Sequence, residues 1–125
     1  MIKAYKLFTG DDGHSHFEEG TVAENLIHHV EGIRFKETPA DFSYDWHNAP
    51  TKQYVLTLTG TLEFETRLGE KFILRPGEVL IALDVTGSAH RWKMLGNDPW
   101  KRVYVSIKDE ADLNFIPNSK DQLNP

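Results

Sequence analysis

Apolar and polar residues alternate along much of this chain in short segments, which is the pattern of half-buried β-strands. Between residues 32 and 38, for example, Ile33 and Phe35 alternate with Arg34 and Lys36. We predict strands at residues 2–8, 16–22, 32–38, 53–59, 61–68, 71–74, 79–83, 90–95 and 102–107. Segment 79–83 is continuously apolar, as expected of a strand that is buried on both faces.

Tight turns separate these segments. Gly60 interrupts one alternating run, and Leu68-Gly69-Glu70 reads as a hairpin turn. In Arg75-Pro76-Gly77-Glu78 the proline presets one backbone angle and the glycine is free to take a positive one. Many short strands with few helical signals predict an all-β, antiparallel sandwich or barrel. We also expect a brief helical turn at residues 23–27 and a loosely held polar tail at residues 114–125.

Composition narrows the possible classes of protein. The 125 residues suit a single domain, residues 1–125, and are too few for two separate cores. The absence of cysteine excludes disulfides and thiolate metal sites, and it fits the cytoplasm. No apolar stretch is long enough to cross a membrane, and residues 1–6 lack the apolar block of a secretory signal. The net charge of −5, without a basic face, argues against nucleic-acid binding.

The segment that begins at residue 45 resembles the first motif of the cupin superfamily. In cupins, two histidines one residue apart precede a glutamate, and a glycine follows that glutamate after six further residues. Aligned on Gly60, this chain has His47 at the first histidine, Ala49 at the second and Gln53 at the glutamate. Two of the four usual ligand positions are therefore altered.

The segment Gly87-Ser88-Ala89-His90 resembles the second cupin motif, with Val85 where the motif has proline. The resemblance covers about residues 45–107. It implies a jelly-roll β-barrel (a double-stranded β-helix), often a homodimer, whose ligands point inward. Because cupins include dioxygenases, isomerases, lyases and non-enzymatic binders, the resemblance implies the place of a site without its reaction.

Strand alternation predicts which side chains meet inside such a barrel, because residues of equal parity share one face. His90 and Trp92 fall on the enclosed side of their strand, and Trp92 is expected to line the pocket. Asp45 and His47 share a side. His47, Gln53 and His90 are therefore expected to converge.

Two interpretations of this convergence remain open. In one, His47, Gln53 and His90 hold a divalent transition metal such as Zn, Fe, Ni or Mn, with His16 or Asp45 as a further candidate. In the other, the pocket binds a small molecule without metal. His14 and His16 fit a surface pair better, because Phe17 is the likelier buried residue on that strand.

The sequence therefore predicts a small-molecule enzyme of isomerase, lyase or oxygenase type, with His47 and His90 as catalytic groups. Oxygen chemistry would need a redox metal, whereas proton transfer by histidine would not. The alternatives are a non-catalytic binding module and a structural dimer with a relic cavity. We expect a homodimer because the edge strands of antiparallel barrels are commonly covered by a partner.

Overall fold

The computed structural model of this protein describes residues 1–108, 110 and 113–118. Eleven strands form within them, and no α-helix does. The strands are β1 (Ile2–Thr9), β2 (Ser15–Val22), β3 (Val30–Thr38), β4 (Ser43–His47), β5 (Gln53–Thr59), β6 (Thr61–Thr66), β7 (Lys71–Leu74), β8 (Val79–Ala82), β9 (His90–Leu95), β10 (Trp100–Ile107) and β11 (Phe115–Pro117). None of the described residues belongs to a helix that could cross a membrane.

The strands form two sheets. One has seven strands in the order β11-β2-β1-β8-β5-β10-β3, and the other has four in the order β4-β9-β6-β7. All neighbouring pairs are antiparallel except β1 and β8, which run parallel from the pair Ala4–Val79 to the pair Leu7–Ala82. Within the described residues, neither sheet is closed into a barrel.

The space between the sheets holds the core and the site. Alternate side chains of each strand point into this space. On β9, for example, the side chains of Trp92 and Met94 are buried, while those of Arg91 and Lys93 are exposed. Both sheets contribute to one buried cluster of Tyr5, Leu7, Val55, Leu62, Phe64, Phe72, Leu74, Leu80, Trp92, Met94 and Trp100. A second cluster, which includes Tyr54, Ile81 and Leu83, draws its strand residues from the seven-stranded sheet alone.

The prediction of an all-β chain is confirmed, but two local predictions are wrong. No helical turn forms at residues 23–27, where Asn25 takes a φ of 64°, outside the right-handed helical region. Part of the predicted loose tail is a strand: Phe115–Pro117 pairs with β2, and Phe115 packs against the second cluster, which contains Tyr54 and Ile81. The rest of that tail, residues 119–125, lies outside the described residues.

Candidate functional site

A cavity of about 510 Å³ lies between the two sheets. Strands β3, β4, β5, β6, β8, β9 and β10 contribute to its walls, so both sheets are needed to form it. Aromatic rings make up much of the lining, among them Tyr44, Trp92, Trp100 and Tyr104. A cavity of this size, in which polar and charged side chains lie among aromatic and aliphatic ones, is suited to a small molecule.

The structure brings His47, Gln53 and His90 together in this cavity. His47 and His90 are paired residues of β4 and β9, and their ring centroids are 4.5 Å apart at an interplanar angle of 63°. Gln53 begins β5 and its side chain is buried. Trp92 lines the same cavity and also packs in the core between the sheets.

A buried carboxylate holds the imidazole of His90. Nδ1 of His90 lies 2.6 Å from Oδ2 of Asp84, whose side chain has no exposed surface. Ser15 donates its hydroxyl proton to the same oxygen at 2.9 Å. Because an ionised carboxylate only accepts hydrogen bonds, Nδ1 carries the ring proton. In its neutral form, His90 is therefore fixed in the tautomer that leaves a lone pair on Nε2.

The imidazole of His47 is fixed in the same tautomer by the backbone. Its Nδ1 lies 2.7 Å from the carbonyl oxygen of Asp45, which can only accept. Burial lowers the pKa of His47, and the neighbouring His90 lowers it further. The carbonyl of Asp45 and the charge of Asp84 oppose this shift without cancelling it. His47 is therefore neutral at neutral pH, with a lone pair on Nε2.

The prediction that Asp45 and His47 share one side of their strand is wrong, because β4 contains a β-bulge. Its pairing with β9 shifts between Tyr44 and His47, and an extra residue there reverses the side to which neighbouring side chains point. Tyr44 therefore lines the cavity, with its ring centroid 4.3 Å from that of His47. The side chain of Asp45 faces a separate groove, where its Oδ1 accepts from the backbone N–H of Trp46. Asp45 thus meets the site through its carbonyl and not through its carboxylate.

The other histidines lie outside the cavity lining. Nδ1 of His14 is 3.0 Å from Oγ of Ser88, and His16 lies between the carboxylates of Asp12 and Glu70. Asp12 makes the largest contribution to raising the pKa of His16, and Glu70 adds to it. His16 is therefore an ion-pair residue near the surface and not a further ligand in the cavity.

A cationic group that the sequence analysis did not single out also lines the cavity. Arg102, on β10, is 3% exposed. Its Nε donates to the hydroxyl of Tyr104 at 3.0 Å, and its Nη1 donates to Oγ1 of Thr38 at 2.6 Å and to the carbonyl of Trp100 at 3.1 Å. The guanidinium carbon lies 3.7 Å from the centroid of the Trp100 ring. A cation–π contact and three hydrogen bonds thus fix the orientation of the guanidinium.

The sequence analysis did not identify Asp84 or Arg102 as site residues, although the sequence contains a signal for each. Asp84 directly follows the apolar segment 79–83, where an acidic side chain either turns to solvent or is buried with partners. Arg102 alternates with Trp100 and Tyr104 along β10, so parity alone groups these three side chains.

The donors available to a metal ion are Nε2 of His47, Nε2 of His90 and the amide oxygen of Gln53. Asp84 binds the other nitrogen of His90, as carboxylates commonly do beside metal-bound histidines. Among the residues that the structure describes, no group of three or more His, Cys, Asp or Glu side chains is placed to hold an ion. The set is thus two imidazoles and one neutral amide, which suits a transition metal better than Mg²⁺ or Ca²⁺.

Comparison with known proteins does not assign this chain to a family. No protein-family model matches the chain. A search of curated proteins likewise finds no match. Function is therefore inferred from the chemistry of the cavity.

Proposed function

We propose that this chain is a small cytoplasmic cupin of the jelly-roll type, and that it moves a proton on a small molecule held in the cavity. The reaction would be of isomerase or lyase type. One observation carries the proposal: the Nδ1 atoms of His47 and His90 are both bound to acceptors. Two adjacent imidazoles therefore offer Nε2 lone pairs to one cavity.

His90 is the general base in this proposal. Its Nε2 takes a proton from a C–H or O–H group of the substrate, and the imidazolium that forms keeps its Nδ1 hydrogen bond to Asp84. The carboxylate at 2.6 Å then faces a full positive charge, which stabilises the protonated state. Ser15 holds the acceptor oxygen in place.

His47 and Gln53 position the substrate. His47 is neutral, so its Nε2 can accept a hydrogen bond from a substrate hydroxyl. The imidazolium of His90 then returns its proton to a neighbouring substrate atom, which completes the isomerisation. The amide N–H of Gln53 can donate to a substrate carbonyl oxygen on which negative charge develops. The face of Trp92 offers a stacking surface for a planar group.

The second candidate is a metal-dependent form of the same site, favoured by the orientation of both imidazoles. A divalent Zn, Fe, Ni or Mn ion would be held by His47, His90 and Gln53. When bound, the ion supplies Lewis-acid chemistry, and a redox metal would extend the range to oxygenase-type reactions. Elemental analysis of protein purified without chelators tests this form. Near-stoichiometric metal that is lost in His47→Ala and His90→Ala would support it.

Solvent-deuterium exchange tests the proton-transfer proposal without a known substrate. The protein is incubated in D₂O with a panel of small sugars, hydroxy acids and oxo acids, and mass spectrometry measures deuterium incorporation. We expect exchange on at least one member, slowed by about a hundredfold or more in His90→Gln. His29→Gln, an exposed histidine outside the cavity, is the matched control and should exchange at the wild-type rate.

Equal exchange by His90→Gln and wild type would contradict the role of His90. Binding of panel members beside Trp92 without any exchange would instead favour the alternative, a non-catalytic small-molecule-binding cupin.

A further inference from the structure

Arg102 is a buried cation without a buried anion. Within the described residues, no carboxylate lies within ion-pair distance of its guanidinium. Its three hydrogen bonds go to two hydroxyl groups and one carbonyl, which are all neutral acceptors. These bonds use Nε and Nη1, so the described protein leaves Nη2 without a partner. A buried charge is normally paired, because removing it from water is costly.

The unpaired cation is part of a positively charged wall. Arg34 and Lys36 on β3 line the same cavity, and the guanidinium carbon of Arg34 lies 4.4 Å from the ring centroid of Tyr104. Glu37 also lines the cavity. Three cationic side chains against one anionic side chain give this lining a formal charge of +2, whereas the whole chain carries −5. A positive, partly enclosed surface in an acidic protein attracts an anion.

We infer that the cavity takes a small carboxylate, whose carboxyl group pairs with Arg102 while the rest of the molecule faces His47 and His90. This inference rests on the proposed function, since it names the class of substrate. An arginine suits a carboxylate because its planar N–H donors match the two oxygens. Nη2 supplies the free donors, and the wall from β3 adds positive charge.

The aromatic lining favours a planar carboxylate over a flexible aliphatic one. Trp92 and Trp100 lie edge to face with ring centroids 4.9 Å apart, and both line the cavity. Flat rings beside a fixed guanidinium hold a planar acid by stacking at one end and by ion pairing at the other. An aromatic monocarboxylate is therefore a suitable probe.

Benzoate and benzamide test the inference, because they share size and planarity but differ in charge. Calorimetry measures affinity, and tryptophan fluorescence reports binding near Trp92 and Trp100. We expect benzoate to bind at least tenfold more tightly than benzamide. Arg102→Gln should weaken benzoate binding by about tenfold to a hundredfold, as expected for a lost hydrogen-bonded charge. Arg75→Gln, an exposed arginine outside the cavity lining, is the control and should leave the affinity unchanged.

A further variant and a readout that needs no turnover keep the test decisive. If Arg102→Gln does not fold, the exposed Arg34→Gln should still weaken benzoate binding by about threefold. Benzoate binding is measured without turnover, so a failure of catalysis does not count against the carboxylate site. Equal affinity for benzoate and benzamide, or no benzoate binding at millimolar concentration, would overturn the inference and leave the proton-transfer proposal standing.

Discussion

Asp84 and His90 share a buried hydrogen bond of 2.6 Å; Asp84 lies near the start of the loop that joins β8 to β9, and His90 is the first residue of β9. Ser15, on β2, donates to the same carboxylate oxygen. The second oxygen, Oδ1, is buried without a hydrogen-bond partner among the described residues. One carboxylate thus orients the proposed base and also ties three parts of the chain together.

Removing this carboxylate should destabilise the fold as well as the site. In Asp84→Ala the hydroxyl of Ser15 and the Nδ1 proton of His90 lose their acceptor inside the protein. We expect the free energy of unfolding to fall by about 3 kcal/mol or more, as measured by urea denaturation. Asp84→Asn keeps an accepting oxygen and should cost less. The exposed Asp98→Ala is the control, and an equal loss in that variant would refute the role of Asp84.

The lowered pKa of His47 predicts that stability falls on acidification. Below the ordinary histidine pKa of 6.5, His47 is protonated in the unfolded chain. In the folded protein burial lowers its pKa, so His47 stays neutral to a lower pH. Stability from this group is therefore full above pH 6.5 and is lost as the pH falls below it. Urea denaturation between pH 5 and 8 should show this fall in the wild type relative to His47→Asn. An NMR titration midpoint for His47 above 6.5 would contradict the prediction.

His16 should show the opposite dependence on pH. Hydrogen bonds to Asp12 and then Glu70 raise its pKa above 6.5, so its stabilising effect is full below pH 6.5 and is lost as the pH rises through the folded-state pKa. The pKa of Asp12 is lowered, first by the backbone N–H of His14 and then by His16. The contribution from Asp12 is present above its ordinary value of 3.8 and is lost in stronger acid. His16→Gln should therefore destabilise the protein most between about pH 4 and 6.5, as measured by thermal unfolding, and least at pH 9.

Gly60 is required between β5 and β6. Its φ is 95°, and an added Cβ would lie 2.9 Å from both the carbonyl oxygen of Pro99 and Cα of Trp100. We expect Gly60→Ala to cost about 2 kcal/mol or more in thermal or urea unfolding, from backbone strain and steric overlap together. Gly69→Ala separates these two effects, because Gly69 has a φ of 86° and its added methyl group would meet nothing within 4 Å. It should cost only about 1 kcal/mol.

The homodimer expected from the sequence stays a prediction, and the edge of the seven-stranded sheet is where we expect a second copy to pair. Among the described residues, β3 ends that sheet and pairs on one side only, and its Ile33 and Phe35 side chains are 64% and 72% exposed. Such an edge is normally covered, and a second copy of β3 would supply both backbone partners and apolar side chains. Light scattering should give twice the chain mass, and Phe35→Glu should halve it. Leu68→Glu, another exposed apolar residue, should leave the mass unchanged.

Sequence pattern predicted the strands well because alternation records which face of a strand is buried. The burial of His90 and Trp92 followed from parity alone. Parity failed at Asp45, where the bulge in β4 leaves no mark in the hydrophobic pattern. The partnership of Asp84 with Ser15 was equally hidden, since these residues are 69 positions apart and meet only when β1, β2 and β8 assemble.

Because β10 lies between two strands that precede it in the chain, the cavity can form only after β10 has been synthesised. Strand β10 lies between β3 and β5, although it is made after both. During synthesis on the ribosome, β3 and β5 emerge first with no strand to join them, and Trp100 and Arg102 arrive more than forty residues later. A nascent chain that stops before β10 therefore leaves β3 without its partner strand and β5 with one bare edge, and it lacks the wall of the cavity that β10 forms. That interval is when chaperones or proteases would meet this protein most readily.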